Sequence, residues 1–190
     1  MAGKIVLKIT LKGIKPAVWR RIEVPSKFTF NELYLCIQAA MGWLNCHLSE
    51  FHVDGKTITR QDFEPEGEFL DSKKTRLLPM LEEGGRFEYW YDFGDDWYHE
   101  VEVESIDPSA ALSRPCCTGG ARACPPDDCG GPHGYVELLR ALLDKRHPEH
   151  REMKEWVGGK FDPEEFDLKE TNRQVSRYKE MEEEGGDGNG

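Results

Sequence analysis

The chain has 190 residues and 21.8 kDa, with 25 Lys+Arg against 36 Asp+Glu for a formal charge of −11; 38% of its residues are hydrophobic and 11% aromatic. This composition excludes a globally disordered chain and supports a core that needs no disulfide staples. A mean hydropathy of −0.67, no apolar run approaching about 18 residues, and no apolar leader after Met1 point to a soluble cytoplasmic protein with no membrane partner.

Lys4 to Lys12 alternate strictly, with Ile5, Leu7, Ile9 and Leu11 on one side and Lys4, Val6, Lys8, Thr10 and Lys12 on the other. This is the pattern of a half-buried strand. Gly13 to Pro16 break it, and Val18 to Val24 read as an antiparallel second strand. Thr29-Phe30-Asn31-Glu32 has the spacing of a capping box, and apolar residues from Phe30 to Met41 recur at helical steps before Gly42. Phe51 to Val53 and Lys56 to Thr59 flank an Asp54-Gly55 turn and predict a short hairpin. Residues 60–76 read as irregular, and Leu77 to Leu81 as a turn of helix.

Phe87 to Asp92 and Trp97 to Ile106 predict a hairpin around Phe93-Gly94-Asp95-Asp96, with Trp97, His99, Val101 and Val103 on its apolar face. A loop follows that carries Cys116, Cys117, Cys124 and Cys129 within 14 residues of Gly- and Pro-rich chain, and it is expected to be neither helix nor strand. Tyr135, Leu138, Leu139, Leu142 and Leu143 mark an amphipathic helix over about 134–145. Helices from Pro148 to about Gly158 and from Asp167 to Glu184 complete the pattern, and 185–190 is expected to be a disordered tail. The fold expected is a single α+β domain over residues 1–184. It has a mainly antiparallel sheet, an opening strand-strand-helix unit compatible with a β-grasp-like half, and C-terminal helices.

Four sets of residues could carry chemistry. The cysteine loop could hold zinc through Cys117, Cys124 and Cys129, with His47 or His99 completing a tetrahedron, or its thiols could simply be packed. Asp92, Asp95 and Asp96 at the hairpin tip, with His99 nearby, could bind a divalent cation or act as acid and base, or could serve only as turn residues. Asp92-Phe93-Gly94 is not a kinase motif, because no glycine-rich phosphate loop and no His-Arg-Asp loop accompany it. His52 reads as a hydrogen-bonded core residue, and His147 with His150 as a chelating pair or an ordinary helix start. Residues 1–30 carry a net +6, and Lys4, Lys8, Lys12, Lys15, Arg20 and Arg21 beside Trp19 could meet phosphates or form a solvated face.

Four ordered blocks carry a family resemblance. They are Lys15-Pro16-Ala17-Val18-Trp19-Arg20-Arg21; Met41-Gly42-Trp43 with His47-Leu48-Ser49-Glu50-Phe51; Tyr91-Asp92-Phe93-Gly94-Asp95-Asp96-Trp97-Tyr98-His99; and Cys124-Pro125-Pro126-Asp127-Asp128-Cys129-Gly130-Gly131 with Gly134-Tyr135. Over about residues 4–175 the chain resembles the plasmid pRiA4b ORF-3-like family. The resemblance implies a prokaryotic protein associated with mobile elements, and it puts His47, His99, Cys124 and Cys129 at motif positions. Some members are likened to transposon resolvases, but the first 25 residues here contain no serine to act as a nucleophile.

The function expected is a non-catalytic interaction or scaffold module, with a protein or peptide partner and a Cys/His loop able to hold a structural zinc. The alternatives are a metal-dependent hydrolase or nuclease built on His47, His99, Asp92, Asp95 and Asp96, and a DNA-binding accessory protein using the basic face.

Overall fold

Alternating burial along the strands builds one sheet of eight strands among the described residues, which in this computed structural model are 3–61 and 67–181. In chain order the elements are β1 (Lys4–Leu11), β2 (Trp19–Pro25), α1 (Phe30–Met41), β3 (Ser49–Val53), β4 (Lys56–Thr59), β5 (Phe69–Asp71), β6 (Arg86–Tyr91), β7 (Trp97–Asp107), β8 (Cys116–Ala121), α2 (Gly131–Leu143), α3 (His150–Trp156) and α4 (Leu168–Ser176). The strands lie in the order β5-β4-β3-β6-β7-β1-β2-β8. Only β4 and β5 run parallel; the other neighbouring pairs are antiparallel. This is the expected α+β architecture, with its opening strand-strand-helix unit and helices gathered at the C-terminal end.

One face of the sheet is the core. Ile5, Leu7, Ile9, Ile22, Val24, Phe51, Tyr89, Trp97, Val101 and Val103 are buried there together with Phe30, Leu33 and Ile37 of α1. Helix α1 begins as the sequence predicts. The Thr29 hydroxyl accepts from the Glu32 amide while the Glu32 carboxylate accepts from the Thr29 amide, and Gly42 closes the helix in the left-handed region. The opposite face is solvated and bears cross-strand ion pairs: Lys4 with Glu23, Lys12 with Glu88, Arg21 with Glu104 through two hydrogen bonds, and Arg86 with Glu102.

Four local expectations are corrected. Cys116 to Ala121 forms strand β8 on β2, although its glycines read as loop. Gly119 and Gly120 leave room for the Trp19 and Phe166 rings to lie directly against the strand, so they serve packing and not a turn. Strand β5 falls within the stretch read as irregular, its three residues being too few for an alternation to register. Leu77 to Leu81 is a hydrogen-bonded turn and not helix: Leu77 is buried and the Met80 amide donates to the Leu77 carbonyl. Helix α4 ends at Ser176, a turn occupies 177–179, and helical residues resume at 180–181. The expected tail at 185–190, and the last residues of the helix predicted up to Glu184, lie outside the described residues.

Candidate metal centre

Three loops meet at one end of the sheet. They are the connection from α1 to β3, the tip of the β6–β7 hairpin, and the chain leading into α2. Trp43 joins the first to the third: its ring is 3% exposed, stacks on Tyr91 at 4.6 Å and meets the His99 ring edge-on at 5.2 Å. Its indole N–H donates to the Pro125 carbonyl at 2.9 Å. The Leu44 amide donates to Asp127 Oδ2 at 2.9 Å and the Tyr91 hydroxyl to Asp127 Oδ1 at 3.2 Å, which orients that carboxylate.

The hairpin tip is organised by its own acids. Asp92 is buried at a positive φ of 54°, its amide donates to the Leu48 carbonyl, and its Oδ1 accepts from the Gly94 and Asp95 amides at 3.0 and 3.3 Å. Asp95 Oδ2 accepts from the Gly130 amide at 3.0 Å, and Asp96 Oδ1 from the Trp90 indole at 3.1 Å. The start of α2 packs so tightly here that a Cβ at Gly131 would overlap the Asp95 carbonyl oxygen.

Into this junction points His47. Its Nε2 lies 3.5 Å from Asp92 Oδ2 and 3.2 Å from Asp128 Oδ1, is shielded from solvent, and makes no hydrogen bond of good geometry. Ligand atoms of His47, Asp92 and Asp128 all fall within 4.8 Å of one another, and so do those of Cys46, His47 and Asp127. One imidazole and two carboxylates at this separation could hold a divalent cation, and the Asp128 side chain is 70% exposed.

The sequence-predicted residues divide accordingly. His47 and Asp92 come together, while Asp95 and Asp96 are engaged in holding the tip. Among the described residues, His99, Cys117, Cys124 and Cys129 join no group of three such ligand atoms. His99 is fully buried on β7, with Nδ1 3.2 Å from the Tyr89 carbonyl oxygen. The Cys117 thiol donates to the Gly119 carbonyl, and its backbone amide donates to Asn172. Burial pushes all three of these thiols up, Cys129 to about 12. Burial also raises the Asp127 carboxyl.

His52, expected in the core, lies instead half-exposed on the outer face, 2.6 Å from Glu50, while His99, a candidate ligand in the sequence, is the buried histidine. His147 and His150 do not chelate together: His147 Nδ1 accepts from the Glu149 amide, and His150 Nδ1 donates to the Ala141 carbonyl. On the basic face, Lys4, Lys12 and Arg21 are paired with carboxylates, Lys8 lies 5.6 Å from the Trp19 ring centroid, and Lys15 is exposed in the β1–β2 connection. Arg20 does not belong to that face. It is 4% exposed and points inward, donating to the carbonyls of Trp19, Ala40 and Ala121 beneath the Phe166 ring. Asp127, Asp128 and Cys46, which complete these two donor groups, were not singled out by the sequence. The signal for the two acids was their adjacency inside Pro125-Pro126-Asp127-Asp128-Cys129, a segment in which the cysteines are the more conspicuous donors.

The state of His99 has a measurable consequence. Burial lowers it from 6.5 to about 4, so between those values the unfolded chain binds more protons than the folded one. Its contribution is fully present above about pH 6.5 and is lost as the pH falls toward 4, a decline of about 3 kcal/mol. Urea unfolding at pH 7 and pH 4.5 should show a steeper loss for the wild type than for His99→Gln; equal slopes would contradict this assignment.

The plasmid pRiA4b ORF-3-like protein family matches residues 4–170. An uncharacterized protein y4hQ of Sinorhizobium fredii is 35% identical over 178 residues, covering 92% of each chain. The crystal structure of the protein of unknown function MM3350 from Methanosarcina mazei Go1 is similar with a TM-score of 0.80 and 39% identity, over 89% of this chain and 97% of that one. Among the described residues no helix is long and apolar enough to cross a membrane. The extent of these matches, which takes in the loops around His47, Asp92 and Asp128, establishes that the chain belongs to the plasmid pRiA4b ORF-3-like family.

Proposed function

We propose that this protein is a metal-binding interaction domain in which His47, Asp92 and Asp128 hold a divalent cation that ties its three loops together. The observation that carries the reading is the His47 Nε2, shielded from water and lacking a well-formed hydrogen bond, aimed between two carboxylates. A buried polar atom left in that state calls for a partner, and a cation shared with the flanking carboxylates supplies one. Zinc is the candidate cofactor, since it accepts nitrogen and oxygen ligands in one tetrahedral set.

The same loops display Leu44, Leu48 and Phe93 at 72%, 41% and 39% exposure. Exposed apolar side chains on the loops that carry the polar centre favour a protein or peptide partner over a small substrate.

The test is the metal content of untagged protein purified without added metal, followed by calorimetric titration of the chelated protein with zinc. Near one ion per chain and a saturable site are expected; a protein that neither retains nor takes up a divalent cation overturns the reading. A second reading, metal-dependent hydrolysis, is favoured by the exposure of Asp128, which would let water occupy an open coordination position. Metal-dependent turnover of phosphodiester or ester substrates that disappears in Asp128→Asn would select it.

A further inference from the structure

The imidazole of His47 belongs to two ligand groups, and the second contains sulfur. Cys46 Sγ, a His47 ring nitrogen and an Asp127 carboxylate oxygen lie within 4.8 Å of one another. Cys46 alone of the six thiols is exposed. Asp127 is oriented by the Leu44 amide and the Tyr91 hydroxyl, so one of the three donors is positioned by contacts that do not depend on a bound ion. Thiolate, imidazole and carboxylate together form a set that magnesium and calcium disfavour and that zinc and cadmium prefer, because soft sulfur does not replace the oxygen shell of a hard cation.

We propose that Cys46, His47 and Asp127 form a sulfur-containing alternative to the oxygen-rich set of His47, Asp92 and Asp128, so that the site selects a thiophilic divalent cation of the zinc class over hard cations; this rests on the metal-binding reading above. Cys46 coordinates as the thiolate and its proton passes to solvent, so loading at fixed pH releases acid. Among the described residues no other thiol belongs to a group of three such ligand atoms: Cys36 is buried within α1, and Cys117 is engaged with Gly119.

Cadmium and manganese separate the two claims. Cadmium is titrated into the chelated protein while the near-ultraviolet absorption of thiolate-to-cadmium charge transfer is followed, and manganese binding is measured by electron paramagnetic resonance. Both are repeated with Cys46→Ser and Cys46→Ala, whose folding is checked by circular dichroism. The wild type is expected to give the charge-transfer band, and both variants to lose it. Their cadmium affinity should fall on the order of a hundredfold while manganese affinity changes by less than about threefold, as expected when one soft ligand is removed. Cadmium bound without the band, cadmium affinity unchanged in the variants, or an equal loss for manganese would overturn the role of Cys46 and leave the metal-binding reading intact. A wild type that binds neither cation removes both.

Discussion

Replacing Trp43 by alanine is expected to lower the unfolding free energy by about 3–5 kcal/mol, the range for truncating a buried aromatic side chain. The residue is 3% exposed and has three ring neighbours, Tyr91, Trp97 and His99, so its removal opens a hole between the sheet and the cysteine loop. It also leaves the Pro125 carbonyl without its indole donor. Trp43→Phe keeps much of the ring packing and loses that hydrogen bond, and its cost should be about 1–3 kcal/mol, the desolvation penalty of an unpaired buried acceptor. Urea unfolding of the two variants measures the difference. Losses below about 1 kcal/mol for both would mean that the loop is held to the sheet by something other than this residue, since such a value is too small for a filled core position.

Asp92→Asn and Asp128→Asn are expected to weaken zinc binding on the order of a thousandfold each, about 4 kcal/mol, because each removes one charged ligand from a set of three. These substitutions suit the backbone. Both residues lie at positive φ, 54° and 60°, where asparagine is among the few residues tolerated. An asparagine at position 92 can still accept from the Gly94 and Asp95 amides, so the hairpin tip should keep its shape. Calorimetric titration reads the affinity, and thermal unfolding with and without zinc gives an independent measure: a saturating ligand raises the wild-type midpoint and should raise the variants' less. Wild-type affinity in both variants would show that the two carboxylates are not ligands.

Reach along the chain separates the features legible in the sequence from those that were not. Strands β1, β6 and β7 and helix α1 were legible because burial on a half-covered sheet repeats every two residues and a capping box spans four, distances over which side chains of one segment determine their own environment. His47 and Asp92 were legible as candidates from residue type and loop position. Their meeting with Asp128 was not, because 45 residues separate His47 from Asp92 and a further 36 separate Asp92 from Asp128. Nothing local encodes the indole of Trp43 reaching Pro125 or the Asp95 carboxylate reaching Gly130, the contacts that draw those segments together.

His99 shows the converse. Its place among Trp97, Val101 and Val103 already marked it as inward-facing, and the structure gives it a core environment where a ligand set had been expected. The lysines of β1 behave in a related way: alternation puts them outside, but only the pairing of β1 with β2 and β7, and of β7 with β6, brings Glu23, Glu88 and Glu104 to neutralise them and Arg21.

By itself, then, the sequence determined the α+β class, the hairpins, the first helix with both its caps, and the family, all of which follow from short-range pattern or from ordered motifs. Only the tertiary structure decided that β8 is a strand, that Arg20 is buried, and that the acids of the cysteine loop rather than its sulfurs meet His47. Those outcomes depend on which distant segments share a surface, and that is set by packing the whole sheet against its helices rather than by any stretch of chain acting alone.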